Sequence, residues 1–271
     1  MSIFAQATVT KSNSMFTPKT DKLKIIAAEN EAMLAGMDTL LSGRVMMYID
    51  YANVRPWSNQ LKWHIDIKRL KQFLDSFDQV QNVNFYNGYL EDDERSKAEI
   101  EELEKCKYIV RTKPVKVMKF PIDATSIAPD STALLDQFVR RALLRKLDVQ
   151  TVEYMNNRLK ALNKQGEFVI EDRKCNFDVE LAVDVFLDLE RDNADTYVLW
   201  SGDSDFADPI EKLLHAGKKV VLFGTSRRIS RELNALREEG LIVFDIKKIR
   251  DFVCWRRELT PEVQALLKEL V

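Results

Sequence analysis

The chain has 271 residues, of which 45% are hydrophobic, and this is enough to bury a core in one large domain or two small ones. Charged residues make up 31% of the chain, yet the net charge is only −2, which excludes a uniformly basic nucleic-acid binder but leaves room for local basic patches. Three widely spaced cysteines and two histidines exclude a disulfide framework and a histidine-rich metal site, so a metal would need oxygen ligands.

The first 43 residues are predicted to form an arm and a helix. Residues 1–20 are rich in Ser, Thr and Lys and lack the basic and then apolar segments of a secretion signal. Apolar residues recur at helical spacing from Asp21 to Leu41, and Gly43 ends this predicted helix. Because no apolar run approaches the ~18 residues of a membrane span, we expect a cytoplasmic protein without membrane association.

Strands and helices are predicted to alternate from Val45 onward. The continuous apolar run Val45–Ile49 indicates a strand covered on both faces, and it ends in Asp50, with Asn53 three residues later. The next predicted elements are an amphipathic helix from about Ile65 to Phe77, a strand from about Val83 to Tyr89, a charged helix from about Asp93 to Lys105, and a strand from Tyr108 to Met118 interrupted at Pro114.

The chain then becomes basic and enters a predicted insertion. Six basic residues and no acidic one occur between Lys105 and Lys119, as phosphate contacts would require, although an ordinary solvated strand edge explains the same pattern. Two helices are predicted between Ser131 and Gln165, within an insertion of about residues 121–165. This segment is interpreted as an insertion or a lid, or as a surface for self-association, and a homo-oligomer would form either through it or through the N-terminal arm.

Acidic residues mark the following elements. A helix is predicted from Asp178 to about Arg191, with its apolar residues on the sheet and Glu180, Asp184 and Asp188 on a solvated face. Simple helix capping also explains Asp178. The last predicted strands are Val198–Trp200, Lys219–Phe223 and Leu241–Phe244. One predicted helix starts near Phe206, and a second starts after Gly224, with Ser226 as the cap of this second helix. A terminal helix is predicted from about Pro261.

Carboxylates follow two of these strands. Asp50 ends one, while Asp203 and Asp205 follow another. In open α/β sheets, ligands bind at the carboxyl ends of the strands, and neighbouring carboxylates repel each other unless a cation or a proton intervenes. The pattern therefore predicts a three-layer α/β/α domain with a mostly parallel sheet and a divalent metal site. We divide the chain into an arm and helix at 1–43, this domain with its insertion at 44–255, and a C-terminal helix at 256–271.

Three motifs together resemble the NYN domain family, which includes the LabA-like proteins and is related to PIN-domain and FLAP-type nucleases. They are Tyr48-Ile49-Asp50-Tyr51-Ala52-Asn53-Val54, then Lys174 with Asp178-Val179-Glu180-Leu181-Ala182-Val183-Asp184, then Ser201-Gly202-Asp203-Ser204-Asp205-Phe206. The resemblance covers roughly residues 44–250. It implies a PIN-like, doubly wound parallel sheet that binds Mg²⁺ or Mn²⁺ and hydrolyses RNA phosphodiester bonds.

The resemblance also implies roles for individual residues. Asp50, Asp178 and Asp203 are the implied catalytic carboxylates and, with Asp205, the implied metal ligands. Asn53, Asp184 and Ser201 would support them. The candidate nucleic-acid contacts are Lys113, Lys116, Lys174, Arg227 and Arg228, and Tyr51 and Trp57 are candidates for stacking on a base, with core packing as the alternative for Trp57.

Three functions are compatible with these features. The first is a metal-dependent endoribonuclease. The second is an RNA-binding or assembly protein that keeps the fold with little or no activity, since an acidic set can also hold a metal inertly. The third is a small-molecule phosphatase, which is disfavoured because the chain has no Gly-rich phosphate loop with lysine.

Overall fold

The computed structural model describes residues 15–123, 126–137, 139–162, 167–225 and 228–268, with backbone alone at 120–123, 137, 162 and 167–174. The chain divides into two compact units. The first unit contains Met1–Pro114 and Asn176–Val271, and the second contains Val115–Cys175. In the described part of the chain, no helix is both long and apolar enough to cross a membrane.

Six parallel strands form the sheet of the first unit, and the remaining two form a hairpin in the second. The strands are β1 (Val45–Asp50), β2 (Val80–Tyr89), β3 (Ile109–Pro114), β4 (Lys116–Asp123), β5 (Glu167–Lys174), β6 (Thr196–Trp200), β7 (Lys219–Gly224) and β8 (Ile242–Asp245). The order in the main sheet is β3-β2-β1-β6-β7-β8. The chain thus builds outward from β1 in one direction and then from β6 in the other, which confirms the predicted doubly wound α/β fold.

Thirteen α-helices occur in the described residues. They are α1 (Asp21–Ala28), α2 (Glu31–Leu40), α3 (Tyr51–Val54), α4 (Ser58–Leu61), α5 (Ile67–Leu74), α6 (Glu94–Lys105), α7 (Arg141–Leu144), α8 (Val149–Leu162), α9 (Asp178–Glu190), α10 (Ala207–His215), α11 (Arg231–Ala235), α12 (Arg250–Val253) and α13 (Pro261–Lys268). Short 3₁₀ turns occur at Arg55–Trp57, Leu135–Gln137, Ser204–Phe206, Leu236–Glu239, Ile246–Ile249 and Arg256–Glu258.

One face of the main sheet carries a large apolar core. Alternate strand residues such as Met47, Phe85 and Val221 are buried there against helices α1, α2, α5, α12 and α13. Aromatic rings of α5 and α12 fill its centre, where Phe73 and Phe252 lie 4.7 Å apart between ring centroids. This burial of large aromatic side chains is the main source of stability on this face.

The opposite face meets α9 through polar side chains. The Tyr48 hydroxyl donates to Asp188 at 2.6 Å, and the Tyr86 hydroxyl donates to Asp184 at 2.8 Å. Arg111 donates to both oxygens of Asp184, at 3.1 and 3.0 Å. The prediction of a solvated acidic row on α9 is therefore wrong, because sheet side chains satisfy these carboxylates.

Three of the eight apolar residues of α9 are exposed to solvent. Leu181 and Val185 are buried, but Val179 and Val183 are 74% and 49% exposed, and Leu187 is also exposed. The expectation that the apolar residues of α9 all pack on the sheet was therefore wrong. Tyr48, Tyr86 and Arg111 of the sheet instead contact the acidic residues of α9.

Two predicted helices differ from those observed. The helix predicted from Asp21 to Leu41 is two helices, because the chain breaks at Glu29 and Asn30 between α1 and α2. The helix after β7 begins at Arg231, with the Ser230 side chain accepting from the backbone N–H of Leu233, and not at the predicted cap Ser226, which lies outside the described residues.

The second unit contains β4, β5, α7 and α8. Strands β4 and β5 pair in antiparallel register, with Lys116 opposite Lys174. Leu135, Leu144 and Val152 form a small core of their own. Two helices were predicted here, and α7 is only one turn long.

Candidate active site

Asp50 lies at the carboxyl end of β1 and is only 4% exposed. Its carboxylate accepts the Ser201 hydroxyl at 3.0 Å and the backbone N–H of Asn53 at 3.4 Å, so it also caps α3. Burial, together with the charges of Asp178 and Asp203, raises the pKa of Asp50 to about 6, although the two hydrogen bonds act to lower it. A buried carboxylate beside two others favours a bound cation or a proton.

The loop after β6 places Asp203 beside Asp50. Because β1 and β6 pair in parallel, with Ile49 opposite Trp200, their carboxyl ends meet where the strand order reverses. Ser201 joins the two ends: its hydroxyl donates to Asp50, and its oxygen accepts the backbone N–H of Asp203 at 3.3 Å. Asn53 makes a second bridge by accepting the backbone N–H of Gly202 at 3.2 Å.

Asp178 and Asp205 extend this cluster. Asp178 is the first residue of α9, and its backbone N–H donates to the Asn176 side chain at 3.0 Å. Burial raises the pKa of Asp178, as do the charges of Asp203 and Asp205 and a hydrogen bond with the Asp205 carboxylate. Asp203 itself accepts the backbone N–H of Asp205 at 3.2 Å, which fixes the turn that carries both side chains. Capping alone therefore does not account for Asp178, because its carboxylate interacts with this cluster.

The donor set suits a hard divalent cation. Carboxylate and hydroxyl oxygens are the ligands that Mg²⁺ and Mn²⁺ prefer, and the mutual repulsion of the aspartates would be relieved by such an ion. The aspartates are more widely spaced than the ligands of a closed site. Among the described residues, the ligand atoms of Glu211, His215 and Glu239 do lie within 4.8 Å of one another, and those of the aspartates do not.

That second group was missed by the sequence analysis. The four-residue spacing of Glu211 and His215 on α10 was a usable signal, because residues four apart share a helix face. Nothing in the sequence indicated that Glu239 would approach them from the 3₁₀ turn. The His215 ring lies 3.7 Å from the Glu239 carboxylate.

A groove of about 570 Å³ opens beside the aspartates. We call it the acidic groove, and its lining includes Asn53, Pro56, Trp57, Asp203 and Arg228. Gly202 is required here, since a Cβ atom at this position would lie 1.8 Å from the carbonyl oxygen of Arg228. The same glycine accepts the backbone N–H of Ser230 at 3.1 Å, so the acidic loop rests directly on the segment after β7.

The structure describes the side chains of three of the five predicted nucleic-acid contacts. Lys113 donates to Glu180 at 2.7 Å and lies over the Phe177 ring, and Arg228 donates to Gln60 at 2.7 Å. Lys116 is exposed on the second unit. Arg227 lies outside the described residues, as does the side chain of Lys174.

Three other predicted residues do not reach the acidic cluster. Asp184 is held on the sheet by Arg111 and Tyr86. Tyr51 and Trp57 are 7% and 2% exposed, so neither ring is available to stack on a base. Packing was the stated alternative for Trp57, and it is what the structure shows.

Comparison with known proteins gives matches over part of the chain. Residues 133–239 match the family model described as "NYN domain", a range that includes Asp178 and Asp203 but not Asp50. A curated relative, "Low amplitude and bright protein LabA" of Synechococcus elongatus, is 31% identical over 93 residues. That alignment covers 34% of this chain and 47% of the relative, so the chain spans about half of its length.

A solved structure, of a protein of unknown function from Vibrio parahaemolyticus, is 15% identical with a TM-score of 0.46. It covers 78% of this chain and 95% of that one. The assignment of the fold rests on the strand order of this chain itself.

Proposed function

We propose that the chain is a metal-dependent ribonuclease that hydrolyses RNA phosphodiester bonds, and the match of residues 133–239 to the NYN domain model supports this proposal. The observation that supports this most strongly is the cluster of Asp50, Asp178, Asp203 and Asp205 at the point where the strand order reverses. Buried carboxylates that raise one another's pKa occur typically at functional sites.

The residues of the cluster have separate tasks in this proposal. Asp50, Asp178 and Asp203, with Asp205, would hold Mg²⁺ or Mn²⁺, which supplies an activated water and neutralises the charge that develops on the phosphate. Ser201 and Asn53 hydrogen-bond across the ends of β1 and β6, so their task in this proposal is to position Asp50 and Asp203. RNA would enter along the acidic groove.

Cleavage of labelled single-stranded RNA with Mn²⁺ tests this proposal. Wild-type protein and an Asp203→Asn variant are compared, with Asp208→Asn as the matched control because Asp208 is an exposed acid in the first turn of α10. We expect Asp208→Asn to cleave like the wild type and Asp203→Asn to lose at least 100-fold in rate, as expected when a group that stabilises the transition state is removed. Equal cleavage by all three proteins would identify a contaminant and remove the proposal.

A second candidate function is RNA binding or assembly with little hydrolysis. It is favoured by one observation, namely that the aspartates are spaced more widely than a closed metal site requires. Tight RNA binding by the wild type, without cleavage in Mn²⁺ or Mg²⁺, would support this second function over the first.

A further inference from the structure

A large groove lined by unpaired cations lies outside the acidic site. This basic groove, of about 1060 Å³, runs between α1, α5 and the segment from α12 to α13. Its cations are Lys22, Lys68, Arg69, Arg256, Arg257 and Lys268. Within the described part of the chain, none of them lies within 4.0 Å of a carboxylate oxygen, although the chain as a whole is slightly acidic.

The two acids of the basic groove are already engaged. Asp21 pairs with Lys24 at 2.9 Å, and Asp66 caps α5 by accepting the backbone N–H of Arg69 at 3.0 Å. The guanidinium of Arg69 donates to the carbonyl oxygens of Phe252 and Asp251, and not to a carboxylate. The groove therefore presents a net positive charge over an apolar floor that includes Leu23 and Leu259.

A stack of two rings contacts Arg257, one of the cations of this groove. The rings of His64 and Trp255 lie 3.9 Å apart between centroids and are almost parallel, and Arg257 lies 4.5 Å from the Trp255 centroid. Glu258 fixes His64 by accepting from its Nδ1 at 2.7 Å and from its backbone N–H. Ring stacks beside cations are the usual platform for single-stranded nucleic acids, whose bases stack while phosphates meet the cations.

A third groove adjoins the basic groove. It has a volume of about 670 Å³ and is lined by Tyr51, Arg55, Ser58, His64 and Trp255, among others. Asp66 lines both this groove and the basic groove. On its other side, residues 51–58 border the acidic groove through Asn53, Pro56 and Trp57. The third groove therefore adjoins the basic groove at Asp66, while residues 51–58 contribute side chains both to the third groove and to the acidic groove.

We propose that the basic groove and the His64–Trp255 stack bind the backbone and bases of the RNA that the acidic site acts on, several nucleotides away from the bond that is cut. The proposal rests on the proposed function for its choice of ligand. It explains how an enzyme with an acidic site would retain a polyanion, although Lys113 and Arg228 are held by neighbouring side chains.

Binding of a labelled single-stranded RNA of about 30 nucleotides tests the groove without cleavage. Fluorescence anisotropy is measured in EDTA on the Asp203→Asn protein, with and without Lys68→Glu, Arg256→Glu and Arg257→Glu together. We expect the dissociation constant to rise at least tenfold, and the slope of log K against log salt to fall by about 2, since each lost phosphate contact in single strands removes about 0.7.

Two further variants serve as controls for this experiment. Lys97→Glu with Lys105→Glu reverses two charges, against three in the groove variant, on the exposed side of α6 and outside the groove, and should leave the salt slope almost unchanged. The milder Lys68→Gln, Arg256→Gln and Arg257→Gln protein should show the same loss in smaller measure, and it separates a binding defect from a folding defect caused by charge reversal.

The outcomes distinguish the two proposals. Unchanged affinity and salt slope in the groove variants would show that the basic groove does not bind RNA. An acidic protein would then be the ligand to test. Loss of binding in these variants, together with a wild-type protein that does not cleave, would support the groove and remove the nuclease. Absence of RNA binding by the wild type would overturn both.

Discussion

Asp50 lowers the stability of the folded chain when its buried carboxyl group is ionised. Its pKa in the folded chain is about 6, against an ordinary value of 3.8, because burial and two neighbouring aspartates disfavour its charge. A carboxyl group with a raised pKa binds its proton more tightly in the folded state. Its contribution to stability is therefore complete below about pH 4 and is lost as the pH rises to about 6, where ionised Asp50 costs roughly 3 kcal/mol.

Asp50→Asn should therefore stabilise the metal-free protein at neutral pH while abolishing cleavage. We expect the free energy of unfolding at pH 7.5 in EDTA to rise by about 2–3 kcal/mol, since the amide carries no charge to bury, and the gain to disappear near pH 4. Denaturant unfolding at both pH values measures this. A gain of equal size at both would show that the charge of Asp50 is not its cause, and Asp208→Asn supplies the control without a buried charge.

Gly202 is a second residue whose replacement has a definite consequence. Gly202→Ala forces the acidic loop away from the Arg228 carbonyl, so we expect a loss of about 1–3 kcal/mol in stability and a strong loss of cleavage. Gly36→Ala is the matched control, because a Cβ there meets no atom within 4 Å and Gly36 lies in α2. Thermal unfolding should show this control gaining about 0.5–1 kcal/mol. Equal effects of the two substitutions would contradict the close approach at Gly202.

Among the elements, α9 is the one whose position matters most for the acidic cluster. It carries Asp178 at its first residue and is attached to the sheet through Glu180, Asp184 and Asp188. These contacts are directional, unlike apolar packing, so they fix the helix against sliding along its axis. The position of Asp178 relative to Asp50 follows from them.

Arg111→Met should loosen this attachment. It leaves the Asp184 carboxylate, 16% exposed, with Tyr86 as its described partner, and we expect a loss of about 1–2 kcal/mol in stability. Mn²⁺ affinity, measured by calorimetry, should fall several-fold because Asp178 moves with the helix, and Arg111→Lys should restore part of it. Lys105→Met, which breaks an exposed pair within α6, should change neither quantity. Unaltered Mn²⁺ affinity in Arg111→Met would show that α9 is positioned by other contacts.

The elements also show what a sequence can and cannot predict. The strands β1, β6 and β7 are continuous apolar runs, and the meeting of their carboxyl ends follows from parallel order, so the region of the site was predictable. The break between α1 and α2 was not, because neither Glu29 nor Asn30 is a strong helix breaker. The acidic residues of α9 that face the sheet are hydrogen-bonded by Tyr48 and Tyr86. These contacts were not predictable, because both tyrosines lie far from α9 along the chain.

At the scale of the molecule, the chain leaves the first unit after Pro114 and returns to it at Asn176, and the residues beside these two points are in contact. Lys113, one residue before the end of β3, lies 4.6 Å from the centroid of the Phe177 ring and bonds Glu180 at the start of α9. The first unit, with its complete six-stranded sheet, therefore needs only a short connection between Pro114 and Asn176.

Replacing Val115–Cys175 by a flexible Gly-Ser linker of about six residues should leave a folded first unit. We expect cooperative thermal unfolding and Mn²⁺ affinity close to that of the full chain, measured by circular dichroism and calorimetry, because the four aspartates all lie in the first unit. A shortened chain that unfolds without cooperativity would show that the first unit depends on the second.

The hydrogen bond from Ser201 to Asp50 joins residues 151 positions apart. On a growing polypeptide, the first aspartate emerges from the ribosome long before its partners do, and β6 must insert beside β1 before the carboxylates can meet. On the proposed function, a ribonuclease assembled in this way would stay inert throughout most of its own synthesis. The messenger being translated would then be protected from the product until β6 has been made.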